Sequence, residues 1–119
     1  MGDHLLKFKP GQAVTFAAST AVTGGQIVEV TGDRTVGVAG AASAKAIGTA
    51  GHDAAIDSDL VVHLNGPVDT FTSAAAIAAG ANVEAAAAGK AQTATTGRVL
   101  GIALTAATAA DQTVQVLRA

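Results

Sequence analysis

The chain has 119 residues, a formal net charge of -2 and 13% charged side chains, a balance that excludes the clustered Lys and Arg of a nucleic-acid binder. Hydrophobic residues make up 50% and aromatics only 3%, with no Trp, Tyr or Cys, so base-stacking platforms, disulfides and zinc–thiolate sites are excluded as well. The length suits one domain with a real core, but much of its apolar content is alanine, and at ~25 cal/mol per Å² of buried apolar surface such a core is thin and leans on a partner surface.

In chain order, the first stretch is "MGDHLLKFKP". It lacks the long apolar run of a signal peptide, and no run anywhere reaches the ~18 residues of a membrane-spanning helix. In an extended strand Leu6 and Phe8 point one way and Lys7 and Lys9 the other. Leu5, Leu6 and Phe8 are among the few large apolar residues of the chain. Residues 1–12 are therefore predicted as an extended docking arm, with Leu5, Leu6, Lys7, Phe8, Lys9 and Pro10 as its contact residues. Pro10 lacks an N–H donor and ends any strand pairing there. The competing expectation is an ordinary frayed terminus.

From residue 13 onward the chain repeats itself. "FAASTAVTGGQIVEV" (16–30) lies over "FTSAAAIAAGANVEA" (71–85) at an offset of 55 without a gap. Phe16 then meets Phe71, Gly25 meets Gly80, Val28 meets Val83, and Glu29 meets Glu84. At a slightly shorter offset "AIGTAGHDA" (46–54) resembles "VLGIALTAA" (99–107), with Gly48 over Gly101, and "DSDLVVHL" (57–64) resembles "AADQTVQVL" (109–117). Each half reads as a Phe-led strand, a small-residue turn ending in Gly, a strand ending Val-Glu, a loop, a strand holding Ile/Leu-Gly, and a last strand after an acidic turn. The prediction is a mostly β, small single-domain barrel or sandwich spanning 13–119, built from pseudo-repeats at about 13–64 and 68–117, with Phe16, Gly25, Val28, Phe71, Gly80 and Val83 as matched core and turn positions.

The repeat bears on "SAAAIAAGANVEAAAAGKAQ" (73–92), which by alanine propensity alone reads as a helix. "SAAAIAAG" occupies the place of "ASTAVTGG", and "AAAAGK" the place of "VTGDR", whose Gly32-Asp33 marks a hairpin turn. The segment is therefore predicted as turn and strand, a short helical turn at 74–79 being the alternative. The Gly-Ala-Ser stretch 39–46 and "KAQTATTGR" (90–98) read as loops.

Candidate chemistry is sparse. His52, Asp53, Asp57, Asp59 and His63 lie within a dozen residues, but their spacing fits no metal motif, and an acidic turn plus a strand histidine accounts for them. His4 lies far from this group in sequence. Glu29 and Glu84 invite thought of a glycosidase carboxylate pair; the plainer expectation is two exposed strand-end carboxylates pairing with Arg34 and Lys90. There is no nucleophile elbow, phosphate loop or dinucleotide fingerprint. No catalytic, cofactor or metal residues are assigned. A small β module binding carbohydrate or a host-surface ligand is the alternative to a structural protein, and the chain lacks the aromatics that would line its pocket.

Taken together, "KPGQAVTF", "AVTGGQIVEVTGDRTVG", "AGAASAKAIGTAGHDA", "VEAAAAGKA" and "VLGIALTAA" resemble the head decoration, or capsid cement, proteins of tailed bacteriophages. The resemblance covers nearly the whole chain and rests on an ordered series of weak motifs. It implies a non-enzymatic β protein without cofactor. Such a protein is made in the host cytoplasm and sits on the outer surface of the virion's icosahedral head. Its partners would be the major capsid protein and its own copies, clustered as trimers at three-fold and quasi-three-fold positions, bracing the shell against DNA pressure. No nucleic acid or membrane partner is implied.

Overall fold

The computed structural model describes residues 13–64 and 67–118; the predicted arm, residues 1–12, lies outside the described residues. Ten strands form two five-stranded sheets. The first half contains β1 (Ala13–Ala18), β2 (Ile27–Gly32), β3 (Thr35–Val38), β4 (Ala46–Ala50) and β5 (Asp59–His63). The second contains β6 (Val68–Thr72), β7 (Asn82–Ala85), β8 (Ala91–Thr93), β9 (Gly101–Ala103) and β10 (Thr113–Arg118). Strand order is β1-β3-β2-β4-β5, closed into a barrel, and β6-β10-β9-β7-β8.

The two halves share one hydrogen-bonding plan. The barrel closes where Ala18 pairs with Val36 in parallel, and at the same places in the repeat the second sheet has one isolated parallel bridge between Ser73 and Ala91. Val22 bridges Ala54, and Ile77 bridges Ala107, each with two reciprocal backbone bonds of 2.9 Å. Gly25 and Gly80 both take a left-handed φ, +90° and +87°, which glycine adopts without steric cost. Asp57 and Asp111 do likewise at 66° and 63°, turning the chain into the last strand of each half. A Cβ at Gly48 would run into the carbonyl of His63, and one at Gly101 into that of Leu117. Only glycine lets these neighbouring strands pass so closely.

Two expectations need correction, and one alternative is removed. Each half has five strands, not four: the short β3 and β8 went unread, because "TVGV" and "AQT" carry no mark matched across the repeat, and "KAQTATTGR" contains β8 where a loop was expected. The alanine-rich segment holds no helix at 74–79; its one helical feature is a 3-10 turn at Ala87–Gly89, in the hairpin place that the repeat assigns. Finally, Phe71 is buried, at 1% exposure, whereas its counterpart Phe16 is half-buried with the Arg34 guanidinium 5.1 Å from its ring centroid.

The cores follow from alternation along the strands. The first gathers Ala18, Val22, Val28, Val36, Ala50, Leu60 and Val62. The second is centred on Phe71, Ile77, Val83, Leu100, Val114 and Val116, and it is completed by Ile27, Ala39 and Ala46 of the first half. Phe71→Ala is therefore expected to cost about 3–5 kcal/mol, as for a fully buried phenylalanine, and Phe16→Ala clearly less; urea denaturation of both variants checks the ranking. Gly101→Ala should destabilise by at least about 1–3 kcal/mol, since the added methyl meets backbone that cannot move aside.

Candidate functional site

The residues that carried any hint of chemistry do not converge. Among the described residues, no group of three His, Asp or Glu is placed to hold a metal ion. His52 is committed to its own loop: its Nε2 accepts the Val61 N–H at 3.1 Å, which leaves Nδ1 to donate to the Asp53 carbonyl at 2.8 Å. His63 is exposed at the end of β5, and Asp57 and Asp59 form the acidic turn that the sequence suggested. His4 lies outside the described residues.

Glu29 and Glu84 occupy matched strand positions but have different fates. Glu29 is half-buried and accepts the Gly40 N–H at 3.2 Å. Glu84 is completely buried, against the expectation of an exposed carboxylate. Its two oxygens accept from the Gln92 amide at 2.6 Å, the Thr95 N–H at 2.9 Å, the Thr95 hydroxyl at 2.9 Å and the Gly97 N–H at 2.8 Å. Lys90 pairs with Asp111 instead. Burial raises the Glu84 pKa, but the donors from Thr95, Gln92 and Gly97 outweigh it and lower it from 4.5 to about 2. A carboxylate whose lone pairs are filled by its own chain folds a loop and has no capacity for acid–base work. The repeat identified the position; the donors come from 92–97, whose fold no local pattern announces.

Two arginines cross between the halves. Arg98 donates to the Ala46 carbonyl at 2.9 Å. Arg118, its side chain 4% exposed, donates to the carbonyls of Leu100 at 3.1 Å and Ile47 at 3.3 Å and lies 3.6 Å from the Asp69 carboxylate. Asp69 in turn accepts the Thr49 hydroxyl at 2.9 Å. Burial lowers the Arg118 pKa while Asp69 pulls it up, and a guanidinium stays charged in either case.

Concavity is slight. An open cleft of about 230 Å³ lies at the junction, lined by Thr23, Gly25, Gln26, Thr72, Gly89 and Lys90 among others. It is smaller than the ~300–1,000 Å³ of small-molecule sites and has no aromatic wall. The conspicuous surface feature is apolar and flat. Val68, Leu117 and Ile102 are cross-strand neighbours on β6, β10 and β9, all pointing outward and 44–48% exposed, with Leu104, just past the end of β9, at 47%. At the matching positions the first half carries Ala13, His63 and Thr49. This row is the candidate interaction surface, and no sequence motif marked it, because its members are scattered over three strands.

Glu84→Gln replaces an acceptor oxygen with an NH₂ group facing donors, and it should cost about 1–3 kcal/mol for the buried groups left unpaired. The pH dependence follows from the lowered pKa. The stabilisation is present above the unfolded carboxyl's 4.5 and is lost as pH falls from there towards 2. Melting temperatures across that window should fall for the native chain, and fall less for Glu84→Gln.

No curated protein matches the sequence. Among solved structures, the head fiber gp8.5 N base of bacteriophage phi29 is similar in fold, with a TM-score of 0.71 over 91% of this chain and 93% of that one, at 18% sequence identity. The family described as "phage cement protein" matches residues 8–118, nearly the whole sequence, and the chain belongs to that family.

Proposed function

We propose that this protein is a structural decoration protein of a phage head. It binds the outer surface of the icosahedral shell through the major capsid protein and assembles as a homotrimer at three-fold and quasi-three-fold positions. There it braces the shell against internal DNA pressure. The observation that carries this reading is the family match over residues 8–118, supported by a surface whose conspicuous feature is apolar and flat. Bracing needs no strong single site, because weak contacts repeated across a lattice add to firm retention.

Residues 1–12 serve as the capsid-contact arm in this proposal. Fully extended they reach about 40 Å at ~3.3 Å per residue, enough to meet a neighbouring shell subunit. Leu5, Leu6 and Phe8 would bury apolar surface there, Lys7 and Lys9 would meet water or acidic groups, and Pro10 would end the contact.

Deletion of residues 2–9 should leave the melting temperature unchanged and weaken binding to purified heads at least on the order of tenfold, as the loss of several buried apolar side chains implies. Equal decoration by the shortened and full chains would make the arm an ordinary terminus. Heads lacking the protein should release DNA at a lower temperature than decorated heads in a thermal release assay; equal release temperatures would exclude bracing.

A further inference from the structure

The junction between the halves uses two different faces. On the first half the covered face holds Ile27, Ala39, Ala46 and Thr49, all 3% exposed or less. On the second half the covering face is built from Ala85, Gly89 and Arg98: the Ala85 carbonyl accepts the Ala42 N–H at 2.9 Å, the Gly89 N–H donates to Ala39, and Arg98 reaches Ala46. Because the faces differ, the contact is head-to-tail, and a head-to-tail contact leaves one face of each kind unused.

Both unused faces are identifiable by strand register. Ile27 pairs with Thr49 across β2 and β4, and Asn82 pairs with Ile102 in the same way across β7 and β9. The second half's counterpart of the covered face is therefore Asn82, Val99 and Ile102, all exposed, with Val99 at 41% and Ile102 at 44%, and it runs into the apolar row at Leu117. Val30 pairs with Val36 as Ala85 pairs with Ala91. The first half's counterpart of the covering face is then Val30, 37% exposed, with exposed Arg34 and Lys45 in the places of Gly89 and Arg98.

The substitutions within the repeat are coordinated. Inside the chain the approach is close: a Cβ on Gly89 would sit 2.9 Å from the Ile27 carbonyl. On the unused faces four matched residues are larger, Val99 for Ala46, Ile102 for Thr49, Val30 for Ala85 and Arg34 for Gly89, while Asn82 is smaller than Ile27 and Lys45 slightly smaller than Arg98. Arg34, whose guanidinium donates to the Thr15 carbonyl at 2.7 Å and lies over Phe16, adds bulk where Gly89 has none, and the larger apolar groups of the opposite face fill the wider gap. Lys45 keeps the positive charge that Arg98 brings to a carbonyl.

We infer that a second copy of this chain docks its first half, through Val30, Arg34 and Lys45, onto the Asn82–Val99–Ile102 face of the second half, repeating between molecules the junction that joins the halves within one. The inference deepens the self-association proposed above and does not depend on binding to the head. Ile102→Asp and Val30→Asp should each keep the native melting temperature and weaken self-association in analytical ultracentrifugation at least on the order of tenfold, since each buries an unpaired charge. An equimolar mixture of the two should recover pairs and nothing larger, because one variant keeps one good face and its partner keeps the other. The chain has no cysteine, so oxidation of the double variant Val30→Cys, Ile102→Cys should link copies to one another without any charge change. A native chain that stays monomeric at millimolar concentration, charge variants that associate like the native chain, or a mixture that stays monomeric would each overturn the inference. Association that persists when head binding is absent would instead overturn the capsid reading and leave this interface standing.

Discussion

Ile27, Ala39 and Ala46 belong by sequence to the first half, yet they are buried in the core of the second. Much of the rest of the molecule depends on this loan. The chain has three phenylalanines, no tryptophan and no tyrosine; the first core is closed by first-half residues alone, but the second draws Ile27, Ala39 and Ala46 from its neighbour. Alanine removes little area from water per residue, so stability requires many small contacts at close range. Close range requires that backbones approach, and Gly48, Gly89, Gly97 and Gly101 stand where a methyl group would strike a neighbouring strand or loop.

The polar groups at the junction obey the same constraint. A tight, small-residue interface leaves carbonyls at strand ends that water cannot reach. Arg98 and Arg118 satisfy those of Ala46, Ile47 and Leu100, and Asp69 and Thr49 hold the guanidinium of Arg118 in register. Glu84 does the equivalent service inside the second half, drawing 92–97 over the end of β7 through four hydrogen bonds. These charged groups organise backbone. The buried Glu84 carboxylate accepts four hydrogen bonds from its own chain, whereas the Arg118 guanidinium keeps one buried nitrogen, Nη1, without a hydrogen-bond partner.

A protein of this kind works through surface. The repeat gives two copies of one strand plan, but only one copy of each face is used within the chain. The exposed row of the second half carries Val68, Leu117 and Ile102 where the first half has Ala13, His63 and Thr49.

What the sequence by itself determined was the plan: β structure, two matched halves, the glycine and aspartate turns, and the alanine-rich segment as turn and strand. These are local matters of alternation, turn chemistry and self-similarity, and a gap-free match from Phe16 to Val30 carries them directly. The family resemblance followed from the same ordered motifs. Only the tertiary structure decided which halves of equivalent pairs are buried. Phe16 and Phe71 look alike in sequence, as do Glu29 and Glu84, but one of each lies where the two halves meet or where a loop folds over it. Strands β3 and β8 were equally illegible, because they carry no matched mark such as the Val-Glu pair or the Gly48/Gly101 match that disclosed the equally short β7 and β9. The outward row of Val68, Leu117 and Ile102 is contiguous only after strands far apart in sequence pair. Burial, closure and surface patches are properties of distant segments brought together, and no local window of the chain contains them.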